Sequence, residues 1–181
     1  MEKIVCFGDS LTNGERDEYY RNYPMELSSL IWERKGKYYY CLNYGVNGET
    51  TSHMLNRAYG VLSPNRDAAF VLFMGGTNDT KVPIPQNIYY KNVEGVILLS
   101  QALGLRISLG LLPPIYGPGL PCYSQEQGNE VIKAYNNTLE ELATTHDLTV
   151  CDFSMYQPQL FCDGVHMNHA GYRRMALDWY E

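Results

Sequence analysis

Apolar residues along the chain fall into two patterns that alternate from one end to the other. Five short runs are almost continuously apolar: Lys3 to Phe7, Tyr38 to Asn43, Ala69 to Met74, Arg106 to Leu112 and Thr149 to Phe153. Runs of that length and density predict buried strands. Between them apolar residues return at helical spacing, as in Met54, Leu55, Ala58, Val61 and Leu62, or Val131, Ile132, Tyr135, Leu139, Leu142 and Ala143. Apolar strands separated by amphipathic helices imply right-handed crossovers that cover both faces of a parallel sheet. The pattern predicts an α/β fold, a three-layer α/β/α sandwich on a five-stranded parallel sheet.

Punctuation agrees with this reading. Pro24 stands near the start of the first long helix and Gly36 after it; Gly104 closes the helix that includes Val93, Val96 and Ile97. A last helix is predicted from about Asn168, an N-cap residue type, with Tyr172, Met175, Ala176 and Trp179 on one stripe. Two loops rich in Pro, Gly and Tyr, Lys81 to Gln86 and Pro113 to Gly128, follow predicted strands. They are expected over the carboxyl edge of the sheet, where open α/β folds bind ligands.

The 181 residues suit one domain spanning 1–181, and 45% apolar with 19% charged residues is a globular composition. No apolar run approaches the ~20 residues that cross a bilayer, so stable membrane insertion is not expected. A net charge of -6 without a Lys or Arg cluster argues against nucleic acid as a partner. The start, Met1-Glu2-Lys3-Ile4-Val5-Cys6-Phe7, passes directly into a strand and leaves no room for an export signal, so a cytoplasmic location is expected. The five cysteines include no C-x-x-C pair; Cys6, Cys41 and Cys151 fall in strand-like runs and read as buried thiols. Cys162 differs, lying beside Asp163.

Four segments carry residue types suited to chemistry. Gly8-Asp9-Ser10-Leu11-Thr12-Asn13-Gly14 places a hydroxyl at the end of the first strand, a nucleophile's position, although a serine there is also an ordinary helix cap. Asp163-Gly164-Val165-His166 lies after the fifth strand, and its Asp and His side chains, three apart, are close enough to touch. A carboxylate that accepts the Nδ1 proton leaves Nε2 free to take a proton from a serine, whereas the plain alternative is a surface turn. Gly45-Val46-Asn47-Gly48-Glu49-Thr50 and Gly75-Gly76-Thr77-Asn78-Asp79 follow the second and third strands. Each offers glycine N–H groups and an amide able to stabilise a developing oxyanion, or simply forms a turn. All four follow strands and so converge on one edge of the sheet.

Gly8-Asp9-Ser10-Leu11, Gly48, Gly76-Thr77-Asn78-Asp79 and Asp163-x-x-His166, in this order, resemble the blocks of the SGNH, or GDSL-type, hydrolase superfamily. The resemblance implies a flavodoxin-like sandwich and an acylhydrolase: members include esterases, lipases, lysophospholipases, thioesterases and carbohydrate deacetylases. By matching positions it implies Ser10 as nucleophile, His166 as base and Asp163 as the acid that orients it. It also implies an oxyanion hole from the N–H groups of Ser10 and Gly48 and the side-chain amide of Asn78. Gly48 matches the second block better than Gly45, because Gly48-Glu49-Thr50 follows the family's Gly-acid-Thr pattern.

Rival signatures are missing, among them G-x-S-x-G, S-x-x-K, G-x-x-x-x-G-K-[ST] and H-E-x-x-H. Neither a metal nor an organic cofactor is expected. His169 reads as a first-turn helix residue, and His53 and His146 as solvated or structural. Two other functions fit parts of the pattern: a non-catalytic module that cradles a phosphate or nucleotide in the turn from Ser10 to Gly14, and acyl transfer to an acceptor other than water. The expected partner is a small acyl ester, with a lean towards short acyl chains. Tyr89, Tyr90, Tyr116 and Tyr123 are candidates for lining its pocket or for core packing.

Overall fold

In the computed structural model, residues 2–17, 21–82, 84–117 and 124–181 are described. The strands are β1 (Glu2–Gly8), β2 (Tyr39–Gly45), β3 (Phe70–Met74), β4 (Ile107–Leu111) and β5 (Thr149–Asp152). The helices are α1 (Ser10–Asn13), α2 (Tyr23–Lys35), α3 (Thr51–Leu62), α4 (Gln86–Ala102), α5 (Gln125–His146) and α6 (His169–Tyr180). The sheet has the order β2-β1-β3-β4-β5 and every pairing is parallel. Helix α2 packs on α6, while α3 packs on α4 and α4 on α5. This is the predicted α/β sandwich with its flavodoxin-like strand order.

The chain turns from one side of β1 to the other between β2 and β3, so the switch point of the sheet falls where β1 and β3 end, at Gly8 and Met74. Such a switch point is where doubly wound sheets place their ligands. The interior strands supply the centre of the core: Val5, Phe7, Val71 and Leu109 are wholly buried. The edge strands depart from the buried strands that the sequence pattern predicts. Tyr40 in β2 and Val150 in β5 are exposed, because an edge strand has a neighbour on one side only.

Local signals set the helix ends. The Asn22 side chain accepts from the Met25 N–H and caps α2, which closes on Gly36 in the left-handed region. Asn168 accepts from the Gly171 N–H and starts α6 as expected. The loop predicted up to Gly128 ends earlier, since Ser124 and Gln127 form a reciprocal capping box and α5 begins at Gln125. Among the described residues no helix is long and apolar enough to cross a membrane.

Candidate active site

The turn after β1 is fixed by Asp9. Its Oδ1 accepts from the Leu11 N–H at 2.9 Å and caps the single turn of α1, whose first residue is Ser10. Asp9 is buried, and its Oδ2 has no hydrogen-bond partner among the described residues. Burial raises the carboxyl from 3.8 to about 7, against the lowering effect of the Leu11 N–H.

The loop between β5 and α6 is narrow and folded on itself. Phe161 bridges Met167, and the Cys162 N–H donates to the His166 carbonyl at 2.9 Å. Inside it, Asp163 Oδ1 accepts from the N–H groups of Val165 at 3.0 Å and His166 at 2.7 Å. That Asx turn leaves Oδ2 facing the imidazole, 2.8 Å from His166 Nδ1. The other ring nitrogen, Nε2, lies 3.1 Å from Ser10 Oγ. Burial alone would raise Asp163, but the N–H and ring of His166 outweigh it and hold the carboxyl below its ordinary value. Arg16 Nε adds a weaker contact, 3.6 Å from Asp163 Oδ2. A hydroxyl within hydrogen-bond reach of an imidazole, itself oriented by a carboxylate, is the arrangement that activates a serine.

Opposite this loop, the segment after β2 is laced to α1. Gly45 allows the approach: a Cβ there would run into the Asn13 backbone. Asn43 donates to the Asn13 carbonyl at 3.2 Å, Asn13 donates to Asn47 Oδ1 at 2.8 Å, and the Asn47 amide donates to the Glu15 carboxylate. Gly48 stands at the apex with φ +77°, and the space around its Cα is open. Asn78, buried after β3, donates from Nδ2 to the Glu49 carbonyl at 3.0 Å, and a primary amide has a second N–H to give. The structure thus brings the segments of Ser10, Gly48, Asn78, Asp163 and His166 to one end of the sheet.

Two contributors escaped the sequence reading. Asp79, named there only as part of a motif, is fully buried and accepts from the Thr51 N–H at 2.9 Å and from the Thr51 hydroxyl, anchoring the start of α3. Arg57 lies between Met54, Ala58 and Val61 on the buried stripe of α3. A charge in an apolar stripe was the available signal. Of the two roles open to the tyrosines, Tyr89 and Tyr116 take packing. Tyr89 is core, stacked on Tyr135 at 4.0 Å with its hydroxyl on the Gly75 carbonyl, and the Tyr116 hydroxyl donates to the Tyr156 carbonyl at 2.6 Å. Tyr90 is half-buried, and Tyr123 lies outside the described residues.

The remaining histidines and cysteines have local explanations. His53 completes the capping box of α3, His146 faces Glu94 at 3.5 Å, and His169 in the first turn of α6 meets Arg21 at 2.9 Å. Cys6, Cys41, Cys151 and Cys162 are free thiols, of which Cys6 is buried, Cys41 and Cys151 half-buried and Cys162 exposed. An apolar cavity of about 500 Å³, lined by Ile4, Leu27, Ile31, Leu72 and Trp179, opens beneath α2 and α6 towards the strand starts. It lies at the other end of the sheet from Ser10.

The sequence profile described as the GDSL-like Lipase/Acylhydrolase family matches residues 6–174. No curated protein sequence matches. Among solved structures, a lipase/acylhydrolase from Enterococcus faecalis is 25% identical, with a TM-score of 0.83 over 99% of this chain and 93% of that one. A member of the lipolytic protein G-D-S-L family from Veillonella parvula is 24% identical, with a TM-score of 0.81 over 99% and 97%. The M. smegmatis aryl esterase is 18% identical and shares the fold at a TM-score of 0.84, covering 99% and 96%. With four sequence blocks gathered at one sheet edge and a family match over nearly its whole length, the chain belongs to the GDSL-like lipase/acylhydrolase family.

Proposed function

We propose that the protein is a serine esterase that hydrolyses small acyl esters. The observation that carries this reading is the position of His166, with one ring nitrogen 3.1 Å from Ser10 Oγ and the other 2.8 Å from Asp163. His166 takes the Ser10 proton as Oγ attacks the ester carbonyl. The carbonyl oxygen becomes negative, and the N–H groups of Ser10 and Gly48 with the Asn78 amide stabilise it. Collapse breaks the bond to the alcohol, which leaves with the proton from His166, and the acyl group stays on Ser10. Water then repeats the sequence: His166 takes its proton, the acid departs, and Ser10 recovers its hydrogen. Asp163, held as a carboxylate, fixes the ring orientation and stabilises the imidazolium in both halves.

Short acyl chains are favoured because the aromatic side chains available to extend an acyl pocket, Tyr89 and Tyr116, are committed to core and loop contacts. The test is hydrolysis of p-nitrophenyl esters, from acetate to longer chains, by wild type and Ser10→Ala. Turnover that disappears with Ser10 is expected, best with the shorter esters. A folded wild type that neither turns over the series nor is labelled at Ser10 by a fluorophosphonate overturns the reading.

A further inference from the structure

The guanidinium of Arg57 reaches three separate segments at once. Its Nε lies 2.7 Å from Glu49 Oε2, and its Nη2 donates to the Tyr44 carbonyl at 2.8 Å and to the Gly8 carbonyl at 3.1 Å. Its carbon sits 4.6 Å from the centre of the Phe7 ring, so the cation is packed as well as bonded. Less than a quarter of the Arg57 side chain and about a seventh of the Glu49 side chain are exposed, at 23% and 14%. A planar fork can satisfy this set of acceptors; an ammonium cannot match its geometry.

Two of these acceptors, Gly8 and Glu49, lead to the proposed oxyanion donors. Gly8 is two residues before Ser10, and its carbonyl also accepts from the Val46 N–H at 3.1 Å, joining the nucleophile turn to the Gly48 loop. Glu49 directly follows Gly48. The Glu49 carbonyl receives the Asn78 amide at 3.0 Å. Resting on the esterase reading above, we infer that Arg57, paired with Glu49, is a positioning residue that sets the N–H groups of Ser10 and Gly48 and the Asn78 amide in register for the oxyanion. Its bonds end on Glu49, Tyr44 and Gly8, not on the Ser10 hydroxyl or the His166 ring. Its effect therefore falls on the transition state, where donors misplaced by about 1 Å can cost on the order of 100-fold.

The experiment measures kcat, KM and pH profile on p-nitrophenyl acetate for wild type, Arg57→Met, Arg57→Lys and Glu49→Gln, well below each variant's Tm. Asn78→Ala serves as the benchmark, with an expected loss of about 100- to 1,000-fold for one missing donor. Arg57→Met is expected to lose roughly 100-fold in kcat with KM changed less than about 2-fold, and Arg57→Lys to recover part of that loss. Affinity for a trifluoromethyl ketone analogue should fall in parallel, while the pH midpoint stays in place because Asp163 and His166 lie on the opposite loop. If Arg57→Met does not fold, Glu49→Gln, which removes only the charge of the partner, carries the test with a kcat loss of about 10-fold. Folded variants that keep wild-type kcat, or that lose only Tm or only KM, overturn the inference while an active, Ser10-dependent wild type leaves the esterase reading intact. A wild type without turnover overturns both.

Discussion

The two sides of the site are held together in opposite ways. On the His166 side, the bonds that shape the loop mostly join neighbours: Asp163 to Val165 and His166, Cys162 to His166, Phe161 to Met167. On the Ser10 side they join residues far apart in sequence: Asp79 to Thr51, Arg57 to Gly8, Asn13 to Asn47. A loop tied internally can carry its carboxylate and imidazole as one unit, whereas the Ser10 hydroxyl and the segments around it, drawn from several strand ends, need an external frame. Among the described residues, the sides meet chiefly at the hydrogen bond between Ser10 Oγ and His166 Nε2.

The most severe way to break the comparison is to remove that link from each side in turn. Ser10→Ala and His166→Ala are each expected to lose about 10⁴- to 10⁶-fold in kcat, and the double variant barely more, because groups that act as a unit are not additive. Single-turnover rates with p-nitrophenyl acetate check this. Losses that multiply in the double variant would mean that the sides contribute independently and that His166 does not activate Ser10.

The next effect separates the sides by their carboxyls. Asp9 on the Ser10 side is raised to about 7 by burial, whereas Asp163 on the His166 side is lowered by the bonds it receives. The signs follow by linkage. A raised carboxyl favours the fold when protonated, so its contribution is complete below the ordinary carboxylate value and is lost as the pH rises through about 7. Asp163 behaves oppositely: its contribution is present above the ordinary value and is lost as the pH falls through its lowered one. Asp9→Asn keeps the cap on Leu11 and removes the charge. At pH 8 it should stabilise the fold by up to about 4 kcal/mol relative to wild type, with the gain vanishing near pH 4. Urea unfolding of both proteins across that range measures it, and a difference that does not vary with pH would place the Asp9 carboxyl in a wetter setting.

The same contrast explains what could be read from the sequence. The Asp163–His166 pair was legible because its geometry is local, and the Ser10 turn because strand, Asp9 cap and hydroxyl are contiguous. The sheet followed from five apolar runs, but the exposure of Tyr40 and Val150 depended on which strands became edges, and tertiary pairing decides that. Asp79 was unreadable as an anchor because Thr51 lies 28 residues away, and Arg57 offered only its place in an apolar stripe, since two of its acceptors, Tyr44 and Gly8, lie 13 and 49 residues away. The Pro- and Gly-rich stretch after β4 masked the Ser124 capping box that begins α5.

The smallest effect tests whether the His166 loop is as self-contained as its bonds suggest. Gly164 has φ +85°, and its carbonyl accepts from the Tyr116 N–H at 2.7 Å, the loop's main tie to the segment after β4. A Cβ at this position would press on the Tyr116 carbonyl oxygen, a backbone atom that cannot swing aside. Gly164→Ala therefore combines a disfavoured backbone region, worth about 1–3 kcal/mol by itself, with a displaced Tyr116 segment and a broken tie. If the internal bonds of the loop suffice, that cost appears in Tm while Asp163 still orients His166 and kcat falls only a few-fold. A kcat loss as large as that of Asn78→Ala would instead show that the base is aimed through Tyr116, making the His166 side as dependent on distant contacts as the side that carries Ser10.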